Sequence, residues 1–410
     1  MNHDVIIIGG GPGGLSTALH LQRIAPHLTP RVLILEKARY PRLKLCAGGL
    51  VPDAEFILQR LGLDTSEVPH VDVDDIHFDF EGRGLKIRIP KRHALRVIRR
   101  DEFDSWLATK VRERGIKIRE GVTVRNIIPD RDGVTVETDQ GRFRAQVIVG
   151  ADGSNGITRR CIFPGAPIHT ARVLEVLTPE YNVIAKEHSD RSNPAVHQEI
   201  ATLPSVPRND IHQEGVAYFD FFPVPHNIAG YVWDFPTQVK GEPMRCWGIY
   251  DTNILANEKR PQLKEPLAQE MSRLGFHLND YEIKGHPIRW FSPKNEMSVP
   301  RVLFVGDTVG ADPLFGEGIS IALGYGTVAA RVIHDAIRRN DFSFHDYKRR
   351  VLSSPLGQTL LMRWLAAYII YPIKWKWFQI LAWRIMKPIA KAAGWMFVLN
   401  WGKRMKQPSL

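Results

Sequence analysis

The sequence predicts an α/β (α+β) fold in which a domain built on a parallel sheet is interrupted by a second, β-sheet domain and followed by a helical C-terminal region. Two buried strand patterns, Asp4–Ile8 and Arg31–Glu36, flank a glycine loop and a helical pattern over Leu15–Ile24, which is the order of a βαβ unit. A third buried strand pattern, Arg301–Val305, precedes a glycine-rich turn and a helical pattern from about Glu317 to Arg338. The 410 residues suffice for two or three domains with a sizeable core.

Hydrophobic periodicity also predicts the helix and strands that lie between the second and third of these strand patterns. An amphipathic pattern predicts a helix over Asp101–Arg114, and apolar runs predict strands at Ile116–Glu120, Val134–Thr138 and Val147–Val149. From Phe163 to about His286 prolines are frequent, and the strand patterns are short and broken. This change in pattern indicates a separate domain inserted into the first one.

Composition excludes several classes of protein. The three cysteines, Cys46, Cys161 and Cys246, form no C-x-x-C pair, which excludes a disulfide scaffold, a four-thiolate zinc site and a four-cysteine iron–sulfur cluster. The histidines show no metal-ligand spacing, so we expect no metal. We also expect no signal peptide and no membrane-spanning helix, because neither pattern occurs in the sequence.

The net charge of +11 is confined to one end of the chain. Residues 347–410 carry twelve Lys and Arg and no acidic residue, whereas the preceding residues hold 43 basic and 44 acidic side chains. The body is therefore neutral, and we expect no nucleic-acid partner.

The first glycine loop reads Gly9-x-Gly11-x-x-Gly14 between a strand and a helix. These glycines allow a tight turn, close approach of backbone to a pyrophosphate and close packing of helix on strand. The helix amino terminus attracts phosphate, and Glu36, at the end of the next strand, can accept hydrogen bonds from ribose hydroxyls. The pattern predicts a Rossmann-like dinucleotide site but does not distinguish NAD from FAD.

Two further glycine–aspartate segments narrow the choice. Residues 147–154 read VIVGADGS, and residues 302–307 read VLFVGD, followed by Pro313 and the turn Gly316–Ile319. With these segments in this order, the chain resembles the para-hydroxybenzoate hydroxylase superfamily. The resemblance implies FAD, with Asp307 on the ribityl chain and the glycine turn presenting a helix amino terminus to the flavin. It also implies that Arg100, rather than Arg99, touches the cofactor.

Two other segments resemble the geranylgeranyl reductase family over residues 4 to about 340. Residues 43–50 read LKLCAGGL and match a K-x-C-G-G sequence through Lys44 and Cys46, except that Ala47 is inserted before the glycine pair. Residues 230–236 read GYVWDFP and match a Y-x-W-x-F-P segment. The substrate-binding residues that this implies are Tyr231, Trp233, Phe235 and Pro236.

The family resemblance implies hydrogenation of carbon–carbon double bonds in a polyprenyl chain, with hydride from reduced flavin. Tyr231, Trp233 and Phe235 alternate along a strand and so share one face, where they could enclose an isoprenoid. Tyr231, Trp233 and Cys46 are the catalytic candidates, and the proton donor stays open between Cys46 and an ordered water. The alternative interpretations are an ordinary packed strand face and a small buried cysteine.

The aspartates have a simpler alternative as well, because aspartate commonly caps helices and bends loops. The complete cofactor-binding prediction is Gly9, Gly11, Pro12, Gly13, Gly14, Glu36, Lys37, Lys44, Cys46, Ala47, Gly48, Arg100, Val124, Asp152, Gly153, Gly306, Asp307, Pro313, Gly316, Gly318 and Ile319. No second Rossmann glycine loop is present, so the electron donor, NADPH or ferredoxin, stays open.

The C-terminal region, residues 346–410, combines aromatic and basic residues. Trp and Tyr favour the headgroup zone of a membrane, and Lys and Arg are attracted to anionic lipids. Pro372 and Pro388 should break the region into short helices. We expect a cytoplasmic protein that is peripheral to the membrane, anchored by this region. The alternative is a helical cap on the substrate domain. The residues concerned are Trp364, Tyr368, Tyr371, Trp375, Trp377, Trp383, Trp395 and Trp401, with Lys374, Lys376, Arg384, Lys387 and Lys391.

The predicted domains are a discontinuous FAD-binding domain, 1–163 and 286–345, and a substrate domain, 164–285, with parts of 52–98 able to fall in the second. The predicted function is an FAD-dependent reductase of polyprenyl chains on a lipid, quinone or pigment. The alternatives are an FAD-dependent monooxygenase or halogenase on an aromatic or lipophilic substrate, and a flavoprotein that only carries electrons. The fold is shared among these classes and does not separate them.

Overall fold

The computed structural model of the protein describes residues 2–166, 169–180, 215–255, 260–388, 391 and 400–405. These residues form mixed α/β structure with an eight-stranded, a seven-stranded and a three-stranded sheet. The strands are β1 (Asn2–Ile8), β2 (Val32–Glu36), β3 (Gly49–Leu50), β4 (His70–Val73), β5 (Asp75–Phe80), β6 (Arg83–Arg88), β7 (Leu95–Ile98), β8 (Lys117–Glu120), β9 (Val124–Pro129), β10 (Val134–Thr138), β11 (Gly141–Gly150), β12 (Thr170–Pro179), β13 (Val216–Asp220), β14 (Gly230–Val239), β15 (Glu242–Asp251), β16 (Lys284–Arg289), β17 (Ser298–Val299) and β18 (Val302–Phe304). The helices are α1 (Pro12–Ile24), α2 (Pro52–Arg60), α3 (Arg100–Glu113), α4 (Ile157–Ile162), α5 (Lys264–Arg273), α6 (Ile319–Arg339), α7 (Tyr347–Ser353), α8 (Pro355–Ile370), α9 (Lys376–Ile380) and α10 (Trp401–Arg404).

The eight-stranded sheet carries the predicted nucleotide-binding elements. Its order is β17-β18-β11-β1-β2-β8, with β10 added antiparallel to β11 and β9 added antiparallel to β10. The pairs β1–β2, β1–β11, β11–β18 and β2–β8 are parallel, so their carboxyl ends lie at one edge. The buried runs of β1 and β2 are covered on one side by α1 and α6, which pack together. The predicted βαβ unit and the return of the chain at β18 are confirmed.

The seven-stranded sheet has the order β16-β12-β15-β14-β13-β5-β6 and is antiparallel except between β13 and β5. The prediction of short, broken strands after Phe163 is wrong, because β12, β14 and β15 are ten residues long. Pro179 ends β12 and Pro243 is the second residue of β15, where a missing N–H interrupts little of the ladder. The sheet also includes β5 and β6, which lie within residues 52–98, the range of which parts were expected to fall in the second domain.

The C-terminal helices pack back onto both sheets. Helix α8 ends at Ile370, just before Pro372, as predicted, and a π-helical segment, Leu381–Ile385, follows α9. In α10, Trp401 is fully buried, with its indole at the position where Gly324 of α6 lacks a side chain. Along the described ranges, no helix has both the length and the apolar character needed to cross a membrane.

Candidate functional site

The loop between β1 and α1 fits a pyrophosphate because its glycines leave no room for side chains. A Cβ on Gly9, whose φ is +106°, would lie 2.4 Å from the carbonyl oxygen of Ala151, and one on Gly14 would lie 2.1 Å from that of Gly9. Helix α1 begins with Gly11 as its N-cap, and no side chain caps it. The first N–H groups of the helix are therefore available to an anion.

Glu36 lies at the carboxyl end of β2 and is held by backbone donors. The N–H of Gly10 donates to Oε2 at 2.8 Å, and the N–H of Ala38 donates to Oε1 at 2.9 Å. Arg42 Nε lies 3.6 Å from Oε2. These contacts fix the Glu36 carboxylate as a hydrogen-bond acceptor next to the glycine loop, where the ribose of a bound dinucleotide would lie.

The two predicted aspartates differ in their surroundings. Asp152 accepts a hydrogen bond from the N–H of Thr158 at 2.9 Å and so caps the start of α4, the simpler role that its residue type allows. Its Oδ1 is buried and, among the described residues, has no hydrogen-bond partner, and burial raises the pKa of this carboxyl. Asp307 also lines the cavity, and its carboxylate forms no side-chain hydrogen bond or ion pair with the other described residues. One acceptor on each aspartate is thus available to a ligand hydroxyl.

The turn before α6 is held from two sides. Gly316 has a φ of +67°, and a Cβ there would lie 2.7 Å from the ring of Tyr250. Tyr231 donates its hydroxyl proton to the carbonyl of Phe315, and Tyr371 donates to that of Leu314. These hydroxyls, from β14 and the C-terminal region, fix the turn that leads into the amino terminus of α6.

A buried arginine from α8 reaches the same turn. Arg363 is 3% exposed, and its Nη1 lies 2.9 Å from Asp312 Oδ2 and 3.0 Å from Glu317 Oε2. Glu317 Oε1 also accepts hydrogen bonds from the N–H and the hydroxyl of Ser320. The C-terminal region therefore helps to build the cofactor side of the site, which the sequence did not predict.

Arg100 lines the cavity at the start of α3, whereas Arg99 does not. Its guanidinium forms two bonds of 2.8 Å with the fully buried carboxylate of Asp104. Burial favours the neutral arginine, but Asp104 outweighs this and raises the pKa of Arg100. Asp104 also contacts Arg42 at 3.1 Å, so it positions two cations at the cavity.

Cys46 lies in the loop between β2 and β3. Its Sγ accepts a hydrogen bond from the N–H of Gly48 at 3.4 Å. Burial raises the pKa of the Cys46 thiol, and Arg100 only partly opposes this. The thiol is therefore protonated at neutral pH and is a weak acid.

One cavity of about 1110 Å³ joins these groups to the seven-stranded sheet. Three predicted residues do not line it: Gly14 packs against Gly9, Pro313 lies within the turn, and Pro236 lies on the opposite face of β14 from Trp233. The predicted residues that do line it are Gly9, Gly11, Pro12, Gly13, Glu36, Lys37, Lys44, Cys46, Ala47, Gly48, Arg100, Val124, Asp152, Gly153, Gly306, Asp307, Gly316, Gly318, Ile319, Tyr231, Trp233 and Phe235.

The aromatic wall of the cavity is larger than the sequence indicated. Phe219 of β13 lies 5.1 Å from Tyr231 and 5.0 Å from Phe235, between ring centroids, and stacks on Phe78 of β5 at 4.8 Å. Trp383 stacks on Phe221 at 4.3 Å. The alternating aromatics in FDF at 78–80 and YFDFF at 218–222 were the available signal, but only the sheet order brings them together.

The C-terminal region has one face toward the cavity and another toward solvent. Met362, Ala366, Ile370, Phe378 and Trp383 line the cavity, which supports the interpretation of this region as a cap. Tyr371 and Trp401 are buried in the body, and Trp395 lies outside the described residues. The exposed apolar side chains of this region, called here the apolar surface, are Met362, Leu365, Tyr368, Ile369, Trp375, Trp377, Ile385 and Met386.

The residues present fit an FAD. The glycine cradle would take the pyrophosphate, Glu36 the ribose, and Asp307 the ribityl hydroxyls, while the amino terminus of α6 would face the flavin ring. Within the part of the chain that the structure describes, no group of three or more His, Cys, Asp or Glu side chains could hold a metal ion.

Fold and site together define an FAD-binding protein, and comparison with known sequences agrees. The profile of the family described as FAD binding domain matches residues 2–219, so the chain belongs to that family. An uncharacterized protein of Methanosarcina barkeri is 29% identical, over 85% of this chain and 79% of its own length. Digeranylgeranylglycerophospholipid reductase 1 of Methanopyrus kandleri is 26% identical, over 85% of both chains.

Solved structures show the same fold. A geranylgeranyl bacteriochlorophyll reductase-like protein from Thermoplasma acidophilum aligns with a TM-score of 0.72 at 20% identity, over 98% of both chains. The flavin-dependent brominase Bmp2 aligns with a TM-score of 0.66 at 17% identity, over 98% of this chain and 97% of its own. The chain is thus an FAD-dependent oxidoreductase with sequence similarity to a digeranylgeranylglycerophospholipid reductase and the fold of a geranylgeranyl reductase-like protein, in agreement with the resemblance seen in the sequence.

Proposed function

We propose that the protein hydrogenates carbon–carbon double bonds of a polyprenyl chain carried on a lipid, quinone or pigment. The observation that carries this proposal is the cavity, which runs without interruption from the glycine cradle to an apolar wall of aromatic rings. Tyr231, Trp233 and Phe235 give that wall a surface suited to a long hydrocarbon rather than to a polar substrate. The similarity to a digeranylgeranylglycerophospholipid reductase supports the same substrate class.

The residues of the chain have separable roles in this proposal. Bound and reduced FAD would supply a hydride, and the cradle, Glu36 and Asp307 would hold it. The Tyr231 hydroxyl, engaged by Phe315, positions the turn before α6, while its ring and that of Trp233 exclude water from the alkene. Cys46 lines the same cavity. The reductant that returns the flavin to its reduced state is NADPH or ferredoxin.

We further propose that the apolar surface rests on a membrane that carries the substrate. Trp375 and Trp377 are 64% and 60% exposed, and Lys387 is exposed in the same region. Lys376, between the two tryptophans in sequence, is also exposed, and its Nζ lies 2.6 Å from Glu81 Oε1. Trp and basic residues in one surface suit the interface of an anionic bilayer. The same helices line the cavity, so a prenyl chain could enter from the bilayer without crossing water.

A single-turnover experiment tests the proposed reaction. The bound flavin is reduced chemically without oxygen, geranylgeranyl lipids are added, and the product is analysed by mass spectrometry. The expected result is a gain of two hydrogens for each double bond, with reoxidation of the flavin. No anaerobic change, but a gain of one oxygen atom or one halogen once air and halide are admitted, would reject the reductase in favour of a monooxygenase or halogenase.

A further inference from the structure

Two ionisable side chains of the seven-stranded sheet line the cavity without a role so far. Glu175 of β12 is 5% exposed, and His286 lies on the neighbouring strand β16. Glu175 Oε2 and His286 Nδ1 are buried, and among the described residues neither atom has a hydrogen-bond partner. A buried polar atom without a partner is costly in an apolar site unless it serves a ligand or a reaction.

The sheet register places Glu175 beside the aromatic wall. Glu175 lies opposite Gly248 of β15, which in turn lies opposite Trp233 of β14, so the side chains of Glu175 and Trp233 leave the sheet on the same face. A Cβ on Gly248 would lie 2.1 Å from Cζ2 of Trp233. The indole therefore crosses β15 toward Glu175, and the carboxyl borders the place where a prenyl chain would lie.

The charged and titratable groups around Glu175 come from several elements. Burial raises the pKa of the Glu175 carboxyl, whereas Arg99, the N–H of Cys46, Lys284 and Lys44 oppose that rise. Burial raises the pKa of the Cys246 thiol, on β15, well above its usual value, and the negative charge of an ionised Glu175 raises it further. The net direction is upward, so the carboxyl retains its proton to a higher pH than an exposed glutamate does.

The other titratable groups that line the cavity near this position are poorer proton donors. Burial raises the pKa of the Cys46 thiol, and the hydroxyl of Tyr231, whose pKa burial raises well above 10, donates to Phe315. Burial lowers the pKa of His286 to about 4, so that ring is neutral at neutral pH. Among these groups Glu175 is the strongest acid, and burial shifts its pKa in the direction that favours the protonated form.

We propose that Glu175 is the proton donor of the reduction, with Oε2 carrying the proton. This inference rests on the proposed function. The π bond of the alkene breaks, one carbon receives a hydride with both electrons from reduced FAD, and the other carbon receives the proton from Glu175. The flavin is left oxidised and Glu175 is left as a carboxylate, which water reprotonates before the next turnover. The reductant for the flavin is a reduced nicotinamide or a reduced iron–sulfur protein.

The substitution Glu175→Gln separates proton donation from packing. Glutamine keeps the volume and a carbonyl oxygen for the N–H of Cys46, but it cannot give an acidic proton. We expect flavin reoxidation by geranylgeranyl lipid in single turnover to slow by about 10²- to 10⁴-fold, the range typical of a lost general acid. In the wild type the rate should fall as pH rises through the pKa of Glu175, and this dependence should vanish in Glu175→Gln. Glu175→Asp, which keeps the acid, should retain the pH dependence at a reduced rate.

Infrared spectroscopy of the resting, oxidised protein provides a second readout that needs no turnover. At neutral pH the carbonyl band of protonated carboxylic acids should lose the contribution of one group in Glu175→Gln relative to the wild type, whereas the contributions of the other buried carboxyls should remain. A Glu175→Gln variant within about threefold of the wild-type rate, with an unchanged pH profile, would overturn the assignment, as would an unchanged infrared band. If the wild type itself hydrogenates no prenyl lipid, the proposed function fails and this inference fails with it.

Discussion

Single buried carboxylates join segments that lie far apart in the sequence. Asp53 of α2 is fully buried and accepts the N–H groups of Gly402 at 2.7 Å and Asn400 at 3.1 Å, which fastens the end of the described chain to the body. Asp104 supports Arg100, and Asp312 supports Arg363, in the same way. In each case, backbone N–H groups or an arginine replace the water that would solvate the carboxylate in the unfolded chain, and the bonds of Asp53 and Asp312 tie distant segments together.

Asp53 should make the stability of the protein depend on pH. Burial raises the pKa of Asp53 to about 6 from the usual 3.8, although the Gly402 N–H opposes this. Because the pKa is higher in the folded state, its stabilising effect is complete below the unfolded value and is lost as pH rises through about 6. Asp53→Asn cannot titrate. Between about pH 4 and about pH 7, the free energy of unfolding of Asp53→Asn should therefore rise relative to the wild type by about 2–3 kcal/mol.

Urea denaturation of both proteins across this range measures the difference. The hydrogen bonds that Asn loses or distorts contribute equally at every pH, so only the change with pH reports the titration. A difference between the two proteins that stays constant with pH would show that folding does not raise the pKa of Asp53.

Residues whose chemistry is local could be predicted from the sequence, whereas residues that act through distant contacts could not. Gly9 and Gly14 are predictable because a turn and a close helix approach admit only glycine, and Glu36 because it ends the next strand. Glu175 and Asp104 gave no signal. Their roles depend on the register of β12 against β15 and on the packing of α3, which arise from contacts between residues far apart in the chain.

At the scale of elements, helix α8 connects the C-terminal region to the cofactor side of the site. Its Arg363 balances two carboxylates, Asp312 and Glu317, inside the protein, and Tyr371 after its end fixes Leu314. The prolines correctly predicted short helices here, with a break at Pro372, but they could not show which face of α8 points inward. Arg363 is the only charged residue of α8, so the charge pattern does not distinguish the two faces of this helix. Only the positions of Asp312 and Glu317 in the fold identify the buried face.

Replacing Arg363 with Met should destabilise the turn before α6. The buried Asp312 and the partly buried Glu317 would lose the Arg363 charge, and removal of one member of a buried ion pair typically costs about 3–5 kcal/mol. We expect a loss of that order in the free energy of unfolding, together with weaker FAD binding measured by fluorescence titration of the apoprotein.

Arg363→Lys is the matched control. Both ion pairs use one nitrogen, Nη1, so a lysine could keep much of the interaction, and its stability should fall between those of the wild type and Arg363→Met. If Arg363→Met were as stable as the wild type and bound FAD equally well, α8 would have no part in holding the turn.

At the scale of the whole molecule, the excess positive charge and most of the exposed large apolar side chains lie in the same part of the chain, the C-terminal region. The neutral body contains the cofactor elements and the seven-stranded sheet, while the basic C-terminal region carries the apolar surface on the outside of the cavity wall. Composition alone predicted this asymmetry, because the basic and aromatic residues cluster in sequence. The continuity between that surface and the cavity depends on α8, α9 and the π-helical segment packing against the sheet.

The proposed orientation on a membrane predicts a selective effect of Trp375→Ser combined with Trp377→Ser. Both indoles are largely exposed and stack on each other at 5.7 Å, so their removal should leave the fold intact. Full burial of a large apolar side chain contributes about 1.5–3 kcal/mol. Two indoles that are only partly buried in the bilayer interface should still strengthen vesicle binding at least about tenfold, so the double variant should bind vesicles at least about tenfold more weakly. Sedimentation with anionic phospholipid vesicles measures this loss. The KM for a prenyl lipid embedded in vesicles should rise accordingly, whereas the kcat and the KM for a short, water-soluble prenyl substrate should not change.

Ile128→Ser tests whether any exposed apolar residue would give the same result. Ile128 is 44% exposed on β9, in the eight-stranded sheet, and is not part of the apolar surface. This variant should sediment with vesicles as the wild type does. Added salt should weaken vesicle binding by the wild type, because the exposed Lys387 and the excess of basic residues in this region attract anionic headgroups. If the tryptophan double variant sedimented as the wild type does, the apolar surface would not be the membrane contact, and the C-terminal region would act only as a cap on the cavity.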